Sequence, residues 1–205
     1  MLKQDNIHPI FDRTLSLKDK EAFLNQTAKV IWLTGLSGSG KSTIAIELEK
    51  RLHQKGILTQ LLDGDNIRSG INNNLGFSDA DRLENIRRIA EVSKLFLNCG
   101  IVTINSFVSP TNDVRDLARL IIGEENYYEI YIKASVEACE KRDVKGLYVK
   151  ARRGEIKDFT GISAPFDEPN KCQLIVDTEL LSIQESVEEI LKNILPIINY
   201  QVEKK

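Results

Sequence analysis

Gly35-Leu36-Ser37-Gly38-Ser39-Gly40-Lys41-Ser42, followed by Thr43, reads G-x-x-x-x-G-K-[ST] in full. The run VIWLT, residues 30–34, precedes it, and STIAIELEKRLHQ, residues 42–54, follows. The first is short, apolar and β-rich, and the second has helical patterning. A strand, a glycine-rich turn and a helix in that order form a phosphate cradle. Glycines let the backbone wrap phosphate oxygens with its N–H groups pointing inward, and the helix N-terminus adds partial positive charge. Lys41 is expected to reach the β- and γ-phosphates, as a catalytic cation, and the Ser42 hydroxyl to ligate magnesium. ATP and Mg2+ are therefore the expected cofactors, held by Gly35, Leu36, Ser37, Gly38, Ser39, Gly40, Lys41, Ser42 and Thr43.

Outward from this loop, β-rich runs alternate with helical ones. Strands are predicted over 30–34, 59–62, 101–107, 128–133 and 174–176. Helices are predicted over 42–54, 82–98, 112–122 and 182–195. Most strands are nearly continuous apolar runs, as strands buried on both faces require. The alternation predicts an α/β fold of P-loop NTPase type, a parallel sheet covered by helices on both faces, as one domain over 29–200. Residues 1–28 read as an N-terminal arm with a short helix running to about Gln26, its start marked by Ser16 with Asp19 three residues on. Ser182 and Glu185 form a second capping box. Residues 145–170 break the alternation. The segment is rich in Lys, Arg, Gly, Asp and Pro and carries Tyr148, Phe159 and Phe166. Its length and content predict a lid over an active site, against the plainer reading of a solvated loop.

A chain of 205 residues with 41% hydrophobic and 28% charged residues suits one soluble domain. Its net charge of -2 gives no whole-molecule basic field for nucleic acid. No apolar run approaches the roughly 20 residues that span a membrane, and residues 1–9 lack the apolar core of a signal peptide. A cytoplasmic location is expected. Cys99, Cys139 and Cys172 lack metal-ligand spacing and read as reduced, mostly buried thiols. His8 and His53 lie apart, and neither reads as a metal ligand or catalytic group.

Asp63 and Asp65 sit at the end of the second predicted strand, where ligands bind in open parallel sheets. Asp63 is a candidate to position magnesium or to accept the proton of an attacking hydroxyl. A turn or helix-cap aspartate is the alternative. Arg68 lies about one helical turn beyond Asp65 and can clamp an anion. Phe77 follows Gly76 and can stack on a base. Arg82 and Asn85, three apart, share a helix face; a salt-bridged helix start explains them equally well. The guanine-reading Asn-Lys-x-Asp of GTPases is absent, because Asn170-Lys171 is followed by Cys172-Gln173. A small-molecule kinase with a closing lid is favoured.

The strings GLSGSGKST, LLDGDNIR, LGFSDADRLENIRR, SFVSP, KRDVKGLY and KARRGEIKDFTGISAPFDEP together resemble the adenylylsulfate kinase family over roughly residues 28–195. The resemblance implies transfer of the ATP γ-phosphate to the 3′-hydroxyl of adenylyl sulfate, with magnesium, giving 3′-phosphoadenylyl sulfate for sulfate assimilation. By position it makes Lys41, Asp63 and Ser109 catalytic candidates and Ser42 and Asp63 the metal candidates. Asp65, Arg68, Arg82, Asn85, Val108, Ser109 and Thr160 become candidate contacts to adenylyl sulfate. Phe77 and Phe159 resemble the aromatics that sandwich its adenine, Lys145 the lid lysine, and Arg142 the arginine packed on the ATP adenine. Ser109 is read as touching substrate rather than as an obligatory phosphorylated carrier, because in-line transfer needs no such step. The chain departs from the family at Pro110-Thr111-Asn112-Asp113, where an aromatic and an arginine are common, at Ser163 in the lid, and at Val108. The resemblance also implies a homodimer and a functional link to a separate ATP sulfurylase. A gluconate- or nucleoside-type P-loop kinase is the runner-up, and it leaves the paired phenylalanines unexplained.

Overall fold

The computed structural model describes residues 8–200. Five strands, β1 (Val30–Thr34), β2 (Thr59–Asp63), β3 (Val102–Ser106), β4 (Tyr127–Lys133) and β5 (Leu174–Asp177), form one parallel sheet in the order β2-β3-β1-β4-β5. The helices are α1 (Leu17–Leu24), α2 (Lys41–Gln54), α3 (Gly64–Ser69), α4 (Asp79–Leu97), α5 (Asn112–Ile122), α6 (Val136–Arg142), α7 (Leu147–Arg152) and α8 (Ile183–Ile198).

Strand alternation builds two cores. Ile31 and Leu33 point to one face and pack with Ile44, Leu48 and Leu52 of α2 and Ile190 and Ile194 of α8. Val30 and Trp32 point to the other face and pack with Ile86 and Ile89 of α4 and Val114 and Ala118 of α5. Both β1 and β3 are buried throughout; β1 accordingly runs apolar without alternation, whereas β3, VTINS, buries the polar Thr103 and Asn105 between its apolar residues. The phosphate loop leaves the carboxyl end of the central strand, flanked by the loops after β3 and β4.

All five expected strands are present, within a residue or two of the expected bounds. α4 begins at Asp79, earlier than expected, because the Ser78 hydroxyl caps it by accepting from the Asp81 N–H. α8 continues through Pro196 to Ile198, past the expected end at 195. Buried Ile194 and Ile198 hold that last turn against the core. Three short helices were not expected: α3, α6 and α7. Each spans only six or seven residues, too short to display a hydrophobic period. α7 lies inside the segment read as a lid.

Both expected capping boxes are formed, at Ser16/Asp19 and at Ser182/Glu185. α1 ends at Leu24 with Asn25 in the left-handed conformation. The Gln26 side-chain amide donates to Leu58 O at 2.9 Å and Gly100 O at 2.9 Å, so this part of the expected arm is fastened to the body. The rest of the expected arm, residues 1–7, lies outside the described residues. Cys139 is buried and Cys172 half-buried, but Cys99 is exposed at the end of α4, a correction to the expectation for that thiol. Among the described residues no helix is long and apolar enough to cross a membrane.

Candidate active site

The phosphate loop is held in shape from three sides. Gly35 has φ +152, and a Cβ there would stand 2.4 Å from the Ile132 carbonyl oxygen, so the loop passes too close to β4 for any side chain. Gly40, at φ +102, caps α2. The Tyr148 hydroxyl donates to Ser37 O at 2.8 Å across 111 residues of sequence. Arg142 donates to the carbonyls of Gly38 and Ser39 at 3.3 and 3.4 Å, and to Thr178 O at 2.7 Å. Lys41 is 7% exposed and its ammonium donates to Leu36 O at 2.7 Å. Burial pulls its pKa from 10.5 down to about 8.

Next to the loop is a cluster of oxygen ligands. The Ser42 hydroxyl donates to Asp63 Oδ2 at 2.6 Å and lies 3.3 Å from Ser106 Oγ. Asp63 is also the N-cap of α3, accepting from the Asp65 N–H at 3.1 Å. The two readings of this aspartate therefore coexist: one oxygen caps, the other faces the phosphate loop. Strand pairing sets Asp63 beside Ser106, which puts both at the same sheet end. These are hard oxygen donors, few in number, and among the described residues no cluster of three His, Cys, Asp or Glu is present. That set fits magnesium, which keeps waters and phosphate oxygens as most of its ligands.

Opposite the loop stands a wall of cations and aromatics. The Arg68 guanidinium lies 4.4 Å from the Phe77 ring centroid and donates to Gly76 O at 2.8 Å. Arg82 donates to Phe77 O at 2.9 Å, Thr160 Oγ1 at 3.1 Å and Asp158 O at 2.5 Å, joining α4 to the lid segment. Burial, then the neighbouring Arg82 charge, pulls the Arg68 pKa down, and burial does the same at Arg82. Two partly desolvated cations side by side make a place for an anion. Phe77 is 60% exposed, a large ring left open to solvent. Phe159 packs edge-on against Tyr148. Asn85 is buried and accepts from the Asn72 side-chain amide at 2.9 Å. Lys145 pairs with Asp65 across the mouth. Ser109, at φ +43 and 2% exposed, accepts from the Trp32 indole N–H at 2.9 Å.

One cavity of about 860 Å³ collects these groups. Every residue proposed from sequence for nucleotide, substrate or metal lines it except Gly35 and Leu36. Those two stand behind it: Gly35 permits the close pass to β4, and Leu36 is buried in a small core with Cys139 and Tyr148.

A sequence model of the Adenylylsulphate kinase family matches residues 27–177. An adenylyl-sulfate kinase of Phocaeicola vulgatus is 61% identical over 203 residues, 99% of this chain and 100% of the relative. One from Bacteroides thetaiotaomicron is 59% identical over the full length of both chains. An APS kinase of Mycobacterium tuberculosis, solved in complex with AMPPNP and APS, superposes with a TM-score of 0.78 at 43% identity, covering 81% of this chain and 96% of that one. The chain belongs to the adenylylsulphate kinase family.

Membership makes the chain an ATP-dependent kinase, a nucleotide-binding transferase with a P-loop, and favours it over the gluconate- or nucleoside-type alternative. The cavity also has lining residues that sequence reasoning did not single out. Ser106 was passed over because it is an ordinary strand-end serine until strand pairing sets it beside Asp63. Thr178, Leu181 and Ile183 line the end near Arg142. They follow β5 by only a few residues, so position after a parallel strand was the available signal. Val144 comes from the α6–α7 connection and Leu147 from the first turn of α7, a helix pair too short to recognise.

Proposed function

We propose that this site transfers the ATP γ-phosphate to the 3′-hydroxyl of adenylyl sulfate, giving ADP and 3′-phosphoadenylyl sulfate. The observation that carries the reading is one cavity with a phosphate cradle at one end and Arg68, Arg82, Phe77 and Phe159 at the other.

The cradle N–H groups and Lys41 hold the β- and γ-phosphates. Lys41 then exchanges its bond to Leu36 O for phosphate oxygens, whose negative charge offsets the burial that lowers its pKa. Ser42 and Asp63 would hold magnesium, which when bound neutralises charge on the phosphates. The Asp63 oxygen that already accepts the Ser42 hydroxyl supports that role over a separate proton acceptor. A loose phosphoryl transition state needs positioning and charge more than a strong base. Arg142 and the Thr178–Ile183 end take the ATP base. Phe77 and Phe159 flank the acceptor adenine, and Asp65, Arg68, Arg82, Asn85, Val108, Ser109 and Thr160 fix the rest of adenylyl sulfate. Lys145 leaves Asp65 to meet the phosphates as residues 145–170 close as a lid. Ser109 serves as a contact, because its hydroxyl is already an acceptor for the Trp32 indole and is buried.

The reading includes one kinase domain over 29–200, a cytoplasmic location, a homodimer and a separate ATP sulfurylase as source of adenylyl sulfate. Exposed Phe23 on α1 and Leu120 on α5 are apolar surfaces that a second copy can cover. The test is ADP release from Mg-ATP with adenylyl sulfate, gluconate or a nucleoside as acceptor. Adenylyl sulfate alone should stimulate release; stimulation by another acceptor instead overturns the reading.

A further inference from the structure

Behind the Ser109 turn lies a buried guanidinium that no phosphate or acceptor contact explains. Arg115, on α5, is 1% exposed. It donates to Ser109 O at 2.6 Å, to Asp167 O at 2.8 Å and to Asn112 Oδ1 at 2.9 Å. Its charge faces Glu129 on β4, with Nε 3.2 Å from Oε1, and Glu129 Oε2 is held by Arg119 at 2.6 Å. The Phe166 ring lies 5.7 Å from the guanidinium. Three further bonds stitch the same two segments: Asp167 N–H to Pro110 O at 2.8 Å, Asn112 N–H to Asp167 Oδ2 at 3.1 Å and Asn170 N–H to Asn112 Oδ1 at 3.4 Å.

We propose that Arg115 is a positioning residue that ties the trailing end of the lid segment to the Ser109 turn, so that one guanidinium links the two acceptor-side walls of the cavity. Val108 and Ser109 line the cavity from the β3 side, and Phe159 and Thr160 line it from the lid side. Neither wall is part of a rigid element. Ser109 stands in a left-handed backbone conformation that a serine rarely adopts, so outside bonds must hold it. Its carbonyl is held by Arg115 at 2.6 Å and more loosely by the Thr34 hydroxyl at 3.4 Å, and its hydroxyl by Trp32. The lid closes back onto the body at Asp167, where the same guanidinium takes the carbonyl. A planar fork can serve both carbonyls at once, and a lysine ammonium on a flexible stem cannot hold that geometry. Asn112 adds an acceptor that fixes the fork and the segment at Asn170 together. Among the described residues no hydrogen bond or ion pair joins the ATP end of the cavity, at Arg142 and Thr178, to this cluster, so Arg115 acts on the acceptor side.

The substrate part of this inference rests on the proposed reading, and the test therefore has one arm that needs no substrate. Hydrogen exchange is measured on unliganded wild type, Arg115→Lys and Asn112→Ala, with Tm and the KM for each substrate. Arg115→Lys should speed exchange in lid peptides over 155–170 by about tenfold, the worth of a lost charge-assisted bond. KM for adenylyl sulfate should rise about tenfold, with KM for ATP within about twofold. Asn112→Ala should shift the same two quantities less, and it decides the matter if Arg115→Lys does not fold. Unchanged lid exchange in a folded variant overturns the proposal. So does uniformly faster exchange with equal rises in both KM values, which marks a merely structural arginine. If wild type does not use adenylyl sulfate, the functional reading falls and the exchange arm alone decides the clamp.

Discussion

Replacing the phosphate-loop lysine should make the nucleotide-free protein more stable while ending its activity. Lys41 is 7% exposed and burial lowers its pKa from 10.5 to about 8. Keeping that ammonium charged inside the folded chain costs about 3 kcal/mol at neutral pH. Lys41→Met fills the same space without charge. It loses the bond to Leu36 O, worth about 1 kcal/mol. The net gain is about 2 kcal/mol, or about 4–8 °C in Tm for a chain of this size. The gain has a pH signature. Below about pH 8 the native lysine is charged and the cost is fully present. Above that the native state sheds its proton while the unfolded chain keeps it until about 10.5, so wild-type stability recovers over that window. The lead of Lys41→Met over wild type should therefore be constant from pH 6 to 8 and shrink toward pH 10. Scanning calorimetry of both nucleotide-free proteins across that range reads it directly. A variant less stable than wild type at pH 7, or a lead that stays flat to pH 10, refutes the claim that burial strains this lysine. Phosphoryl transfer by Lys41→Met should be undetectable in the ADP assay.

Three further substitutions test other parts of the site. Phe77→Ala should raise KM for adenylyl sulfate by about 5- to 100-fold, as stacking contributes about 1–3 kcal/mol, and leave KM for ATP nearly unchanged; equal rises argue against the sandwich. Gly35→Ala drives a Cβ to 2.4 Å from the Ile132 carbonyl oxygen, so titration calorimetry should show ATP binding weakened by at least about tenfold, a strain of over 1 kcal/mol. Ser109→Ala leaves the Trp32 indole N–H without its acceptor and should lower Tm by a cost of about 1–3 kcal/mol. Its kcat should stay within about tenfold of wild type, about 1.4 kcal/mol; a complete loss of turnover together with a phosphorylated wild-type serine would restore the covalent carrier.

The phosphate loop, its flanking strand and helix and the parallel order of elements were legible because they are local: a motif of eight residues and β-rich runs of three to seven. Asp63 was legible as an acidic strand end, and its double use as cap and loop partner was not, since the second partner, Ser42, is 21 residues away. Arg68, Phe77 and Arg82 could be marked as an anion and ring site, yet their mutual stacking depends on the turn between α3 and α4. Gly35 and Leu36 belong to the motif and shape it from outside the cavity, a distinction set by the backbone's close pass to β4 at Gly35 and by the burial of the Leu36 side chain. α3, α6 and α7 escaped because one or two turns carry no period, and their caps at Asp63 and Ser135 resemble any turn residue. The Arg115 cluster escaped because its partners at Ser109, Glu129 and Asp167 meet only through the sheet order and the lid's return.

The most direct test of the central claim is phosphorus NMR of the product formed from Mg-ATP and adenylyl sulfate. The account predicts one new phosphomonoester signal, coupled to the ribose H3′ proton and equal in amount to the ADP released. A phosphate coupled to H2′, or ADP release with no phosphate added to adenylyl sulfate, contradicts it.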